Sequence, residues 1–218
     1  MKVKVTYFLD VLSSWCHWAE PAWTAARRRF ADRADFDWQI ALIPPEGFSA
    51  SRAQCDWVYR RSGTIAQSPY MLNSAWMEPG AKGYGVPNLI AEAARTLGAA
   101  DDRVRVALAD AAMREGRSIG RWDEAIAVAS AAGGLDPEVL RQQAESAQIA
   151  AAIEASTARF HEFKMTQRPS FLIENAIGDR AVLSGTWTLE PLSAVIEALW
   201  RDAASYAVHA AHFGSPPA

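Results

Sequence analysis

The sequence predicts an α/β protein in which a βαβ unit and a ββα unit are separated by a long, all-helical insertion. Three observations carry this. A β-branched and aromatic run, Val3-Lys4-Val5-Thr6-Tyr7-Phe8-Leu9, passes through a polar elbow into a Trp- and Ala-rich helical segment. From Glu46 to about Met165 the apolar period is helical. Beyond it, two short apolar runs joined by Asn175-Ala176-Ile177-Gly178-Asp179 read as a hairpin ahead of a last amphipathic helix.

Each element has its own warrant. Ser13 and Ser14 are good N-cap residues, so a helix from about Trp15 to Ala31 starts at the strand's carboxyl end, with its unpaired N–H groups and positive dipole end free to hold an anion. Pro21 fits near the first turns or as a kink. Asp35 to Ile43 alternates polar and apolar residues and is stopped by Pro44-Pro45, giving a second strand and a right-handed βαβ unit. Within the insertion, loops are expected at Ser62 to Pro69 and Met77 to Asn88. Pro87-Asn88 precedes a helix to Leu97, and Asp101-Asp102 cap one reaching about Glu115. Gly120 and Trp122 start a third that ends at Gly133-Gly134, and Asp136-Pro137-Glu138 opens a fourth. Phe171 to Glu174 and Arg180 to Leu183 form the hairpin, Leu189 to about Trp200 the closing helix, and Gly214-Ser215-Pro216-Pro217 a frayed tail.

Composition limits the function. With 218 residues, half of them hydrophobic, the chain can bury one core plus a lobe; the division expected is 1–48 with 160–203 for the α/β domain and 49–159 for the helical one. A net charge of −3 with interspersed signs makes no basic field for nucleic acid or an anionic membrane. There is no run of about 18 apolar residues, and Met-Lys-Val-Lys leads straight into a strand, so a cytoplasmic protein is expected. The two cysteines, Cys16 and Cys55, are expected to stay unpaired. The histidines are scattered, so no metal site is expected.

Asp10-x-x-Ser13-Ser14-Trp15-Cys16 resembles the Asp-x-x-Cys-Pro-Trp-Cys active-site turn of DsbA-like thioredoxin-fold proteins, with serine in place of the first cysteine. Kappa-class glutathione transferases and 2-hydroxychromene-2-carboxylate isomerases carry such a serine. Gln167-Arg168-Pro169-Ser170-Phe171-Leu172-Ile173 resembles the superfamily's cis-proline loop and following strand, and Ala107 to Ile119 resembles part of its inserted helical domain. The resemblance spans roughly residues 3 to 201 and implies a thioredoxin-like fold (βαβ…ββα) with a helical insertion.

The chemistry follows from the elbow. A serine hydroxyl with free N–H groups at a helix start can donate hydrogen bonds to a thiolate and lower its pKa, so Ser13 is the candidate stabiliser of a ligand's sulfur, with Ser14 beside it; alternatively Ser13 only caps the helix. Serine cannot form the mixed disulfide of a two-thiol redox turn. Cys16, in the first turn, is either a nucleophile or a small apolar filler, and His17 is a possible acid, base or ligand. By resemblance, Arg168 and Pro169 lie across from Ser13 and meet the cysteinyl part of glutathione; a small aliphatic residue is commoner in the place of Arg168, whose guanidinium either pairs with a substrate carboxylate or points to solvent. Kappa-like enzymes hold the glutamyl carboxylate with a Trp-Gly-x-Asp-Arg type segment; here Ser184-Gly185-Thr186-Trp187 stands instead, leaving Gly185 and Thr186 as donors. Trp15, His17, Trp57, Tyr70 and Trp76 are the candidate substrate pocket.

The leading expectation is a glutathione-dependent isomerase or transferase acting on a small apolar or aromatic electrophile, with glutathione as cosubstrate. The alternatives are a DsbA-type thiol–disulfide oxidoreductase working through Cys16, and a catalytically silent thioredoxin-like binding protein. Expected partners are a small-molecule substrate and, at most, a second copy in a homodimer.

Overall fold

A computed structural model describes residues 2–78 and 83–214. The strand β1 (Val3–Leu9) is followed by α1 (Ser14–Arg29) and β2 (Ala34–Ile40). β1 pairs with β2 in parallel, Val3 opposite Ala34 and Leu9 opposite Ile40. After the helices come β3 (Ser170–Glu174) and β4 (Arg180–Ser184); β3 runs antiparallel to β1, with Phe8 opposite Ser170, and β4 antiparallel to β3. The sheet order is therefore β2-β1-β3-β4. The expected thioredoxin-like α/β fold with a helical insertion is what the chain forms.

β1 is apolar along nearly its whole length because both of its faces are covered. Val5, Tyr7 and Leu9 point to the face packed by α1 and the last helix, α8 (Leu189–Phe213). There Tyr7 lies 4.9 Å from Phe171 and 5.0 Å from Trp23, centroid to centroid. Phe8 points the other way, into a smaller cluster with Ala41, Phe160, Met165 and Leu172.

The insertion holds α2 (Arg52–Ile65), α3 (Val86–Thr96), α4 (Arg103–Met113), α5 (Trp122–Gly133), α6 (Pro137–Ala144) and α7 (Ala147–Glu162). Two expectations are corrected, the start of the loop after α2 and the end of the closing helix, and one helix is added. The loop expected from Ser62 begins only after Ile65, since Ser51 caps α2 and its helix runs on through Gly63, which packs beside Trp18. The helix opened by Asp136 stops at Ala144, where Ser146 caps α7 by accepting from the Ile149 N–H. The closing helix passes Trp200 and reaches Phe213, along a mostly exposed stretch. Residues 79–82 of the second loop and 215–218 of the tail lie outside the described residues.

α7 brings the chain back to the sheet. Its Ser156 hydroxyl donates to the Ile40 carbonyl at 2.6 Å, and its Thr157 hydroxyl accepts from the Leu42 N–H at 3.1 Å. α1 and α4 are joined by a charge network: Arg105, 3% exposed, holds both Glu20 oxygens (2.6 and 3.0 Å) and Asp102 Oδ1 (2.6 Å), while Asp102 also pairs with Arg27 and accepts from the Trp23 indole at 3.1 Å. Among the described residues no helix is long and apolar enough to cross a membrane.

Candidate active site

The elbow between β1 and α1 is built by side chains that capture its backbone. Asp10, buried, accepts from the Leu12 N–H through Oδ1 (2.9 Å) and from the Ile43 N–H through Oδ2 (2.9 Å), so one carboxylate holds both the elbow and the end of β2. Burial raises its pKa and these hydrogen bonds oppose that shift. Asn88 of α3 accepts from the Val11 N–H at 3.0 Å. Ser13 then caps α1: its N–H donates to the Asp10 carbonyl (3.0 Å) and its Oγ accepts from the Cys16 N–H (3.3 Å). The Ser14 and Trp15 N–H groups have no acceptor within the helix.

Facing this elbow is the cis peptide bond Arg168–Pro169. Its loop is fastened by Ser184, whose Oγ accepts from the N–H groups of Thr166 and Gln167, and by Gly185, whose N–H donates to the Pro169 carbonyl at 2.8 Å. Gly185 does this at φ +78°, a left-handed conformation that favours glycine. Its N–H is thus committed to the loop, and Gly185 and Thr186 do not line the cavity beside Ser13. The Arg168 guanidinium takes neither expected position. It donates to the carbonyls of Ala41 and Leu42 and lies 4.4 Å over the Phe160 ring, tying the loop to the end of β2.

Between the elbow, this loop and the insertion lies a cavity of about 520 Å³ lined by Ser13, Ser14, Trp15, Arg168 and Trp76. Its far wall is aromatic: Phe48, Tyr59 and Trp76 line it, and the Trp76 indole donates to the Tyr59 hydroxyl at 2.8 Å. Tyr84 backs that wall, 5.0 Å from Trp76 and 5.1 Å from Phe48, in edge-on contacts. His161, Met77 and Gln167 also line the cavity. Tyr59 and Cys55, four residues apart on α2, share the side that meets the cavity; Phe48, Tyr59 and His161 carry no local sequence signal for it.

The other expected site residues are dispersed. Trp57 is 58% exposed and outside this cavity. His17 and Tyr70 lie on the opposite side of α1, with His17 Nε2 2.9 Å from the Tyr70 hydroxyl. Cys16 is 3% exposed, and burial pushes its thiol up to about 11, outweighing a hydrogen bond from Ser13 that favours the thiolate. Cys55, in the cavity wall, is likewise raised by burial. Both cysteines are free. Among the described residues no three His, Cys, Asp or Glu side chains gather as a metal centre.

Residues 4–197 match the DSBA-like thioredoxin domain, and the chain belongs to that family. No curated protein matches it. Solved structures share the fold at low identity. A putative protein disulfide isomerase from Nitrosomonas europaea is 15% identical, with TM-score 0.76 over 93% of this chain and 99% of the other. The cytosolic disulfide reductase DsbM from Pseudomonas aeruginosa, solved with GSH, is 16% identical, with TM-score 0.66 over 94% and 99%. A 2-hydroxychromene-2-carboxylate isomerase is 15% identical, with TM-score 0.60 over 94% and 98%. At such identities the likeness is one of fold, and a fold hosts more than one reaction.

Proposed function

We propose that this protein is a cytoplasmic glutathione-dependent isomerase or transferase, acting on a small apolar or aromatic electrophile in the cavity that Ser13 and Trp76 both line. The observation that carries the reading is the asymmetry of the turn. Its one thiol, Cys16, is buried and protonated at neutral pH, whereas the serine in the first cysteine's place lines the cavity.

Bound glutathione supplies a thiolate nucleophile. Toward it, Ser13 offers its hydroxyl proton and α1 its unpaired N–H groups, both of which favour the charged sulfur. The aromatic wall holds an apolar substrate and keeps water away from the sulfur, raising the weight of each of those dipoles. The sulfur half of glutathione is provided for in this way. Its glutamyl carboxylate needs an anchor other than the Arg168 guanidinium, which is spent on Ala41 and Leu42.

The test is thermal stabilisation by glutathione against S-methylglutathione, at pH 7, in the wild type and in Ser13→Ala. Glutathione is expected to raise Tm more than its methylated form, with the preference lost in Ser13→Ala. Disulfide reductase activity that disappears in Cys16→Ala and persists in Ser13→Ala supports the redox alternative instead. No response to either thiol supports the binding-module reading.

A further inference from the structure

On the other face of α1, away from Ser13, the chain encloses a second cavity of about 500 Å³. We propose that it binds a small organic carboxylate with an apolar body, a ligand distinct from anything bound at the Ser13 cavity.

A guanidinium without a carboxylate partner points to an anion. Three carboxylates line the cavity: Asp10 accepts from the N–H groups of Leu12 and Ile43, Glu20 pairs with Arg105, and Asp110 Oδ1 lies 3.7 Å from Nδ1 of His17, whose burial disfavours the charged ring. Of the three arginines in the lining, Arg105 is neutralised by Glu20 and Asp102. Arg28 and Arg114 make no ion pair among the described residues. The lining is balanced overall, three carboxylates against three arginines, but Arg114 has no carboxylate within ion-pair distance and is positioned, its guanidinium 4.3 Å over the Tyr70 ring.

A built polar group stands beside them. The Tyr70 hydroxyl is 2.9 Å from His17 Nε2, and Asp110 faces the other ring nitrogen, so the chain Asp110–His17–Tyr70 runs from α4 through α1 to the loop after α2. His17 is buried, which holds its pKa below the ordinary value; Asp110 opposes that shift and Arg114 adds to it. When His17 Nε2 carries a hydrogen, it donates to the Tyr70 oxygen and the phenol proton is free for a ligand oxygen. With Nε2 bare, the phenol donates to His17 and its oxygen accepts from a ligand. An arginine and an orientable phenol are the donors that fix a carboxylate, and Pro21, Ala25, Val106 and Ala109 supply apolar lining for the remainder of the ligand.

The test uses 4-fluorobenzoate, with its neutral isostere 4-fluorobenzamide, observed by fluorine NMR on the full chain. The acid is expected to bind saturably and the amide at least tenfold more weakly. Arg114→Gln should weaken the acid tenfold or more, the effect of removing a charge-assisted contact, with most of the binding restored in Arg114→Lys. Tyr70→Phe should weaken it severalfold, and Ser13→Ala should leave it unchanged because Ser13 lines the other cavity. The Lys variant separates lost charge from lost folding. Absence of saturable binding, equal binding of acid and amide, indifference to Arg114→Gln, or loss in Ser13→Ala each overturns the proposal. Since Ser13 is not used here, the glutathione reading stands or falls separately.

Discussion

Trp76 donates its indole N–H to the Tyr59 hydroxyl at 2.8 Å, joining the loop after α2 to α2 itself within the wall of the Ser13 cavity. Both residues are nearly fully buried, so neither is a freely replaceable substrate contact. Trp76→Ala is expected to cost about 3–5 kcal/mol of stability. Tyr59→Phe keeps the ring and removes the acceptor, leaving a buried indole N–H unpaired, and should cost about 1–3 kcal/mol. Urea unfolding of the two variants checks the order; a Tyr59→Phe variant as stable as the wild type would show that the hydrogen bond contributes nothing beyond packing.

Cys16 gives a pH prediction. Its folded pKa, about 11, lies above the ordinary thiol value of 9.0. The native state therefore keeps its proton where the unfolded chain has lost it. Stability on this account is fully present below pH 9 and falls as pH rises toward about 11, by on the order of 3 kcal/mol. The alkaline loss should be smaller in Cys16→Ala. Labelling of native protein with a thiol reagent at pH 7 should be slow at Cys16; rapid labelling would mean a thiolate that burial forbids.

Arg168 is expected to act through stability. Arg168→Met removes the donors to the Ala41 and Leu42 carbonyls and the contact over Phe160, and should cost about 2–4 kcal/mol. Any effect on binding a carboxylate-bearing substrate should be no larger than this loosening of the loop accounts for. A stable variant with a selectively lost carboxylate preference contradicts the assignment.

Arg105→Met should be among the most damaging single changes, at about 3–5 kcal/mol, because Glu20 and Asp102 are left without their buried partner. The double variant Arg105→Met with Glu20→Gln should recover part of that loss in denaturant titration, since one stranded charge has gone.

What the sequence made readable was local. The cap at Ser13, the two-faced burial of β1 and the hairpin around Gly178 follow from neighbours a few residues apart, and all three appear in the structure. Composition gave the number of aromatic rings but not their directions, so Trp57 was expected in a pocket and stands in solvent, while Tyr59, two residues on, lines it. Tyr70 and His17 are 53 positions apart, and no period links them. Arg168 has partners more than a hundred residues away, at the end of β2, so neither reading the sequence offers, a pair with a substrate carboxylate or exposure to solvent, anticipates its place as a strut. The extension of α8 to Phe213 is not legible because its last turns are mostly exposed and carry no buried apolar stripe for a period to reveal.

The hold of Asn88 on the Val11 N–H bears on how this protein can be re-engineered. The insertion is not cargo that can be exchanged for a relative's as a cassette, because one of its amides sets the path of the elbow on which Ser13 sits. A chimera with a transplanted helical lobe keeps the elbow's trajectory only if an equivalent acceptor arrives at the start of the transplanted α3. Swapped lobes lacking it should yield folded chains in which the serine is present and aimed elsewhere, so library designs that recombine lobes within this family should couple position 88 to the turn as a single inherited unit.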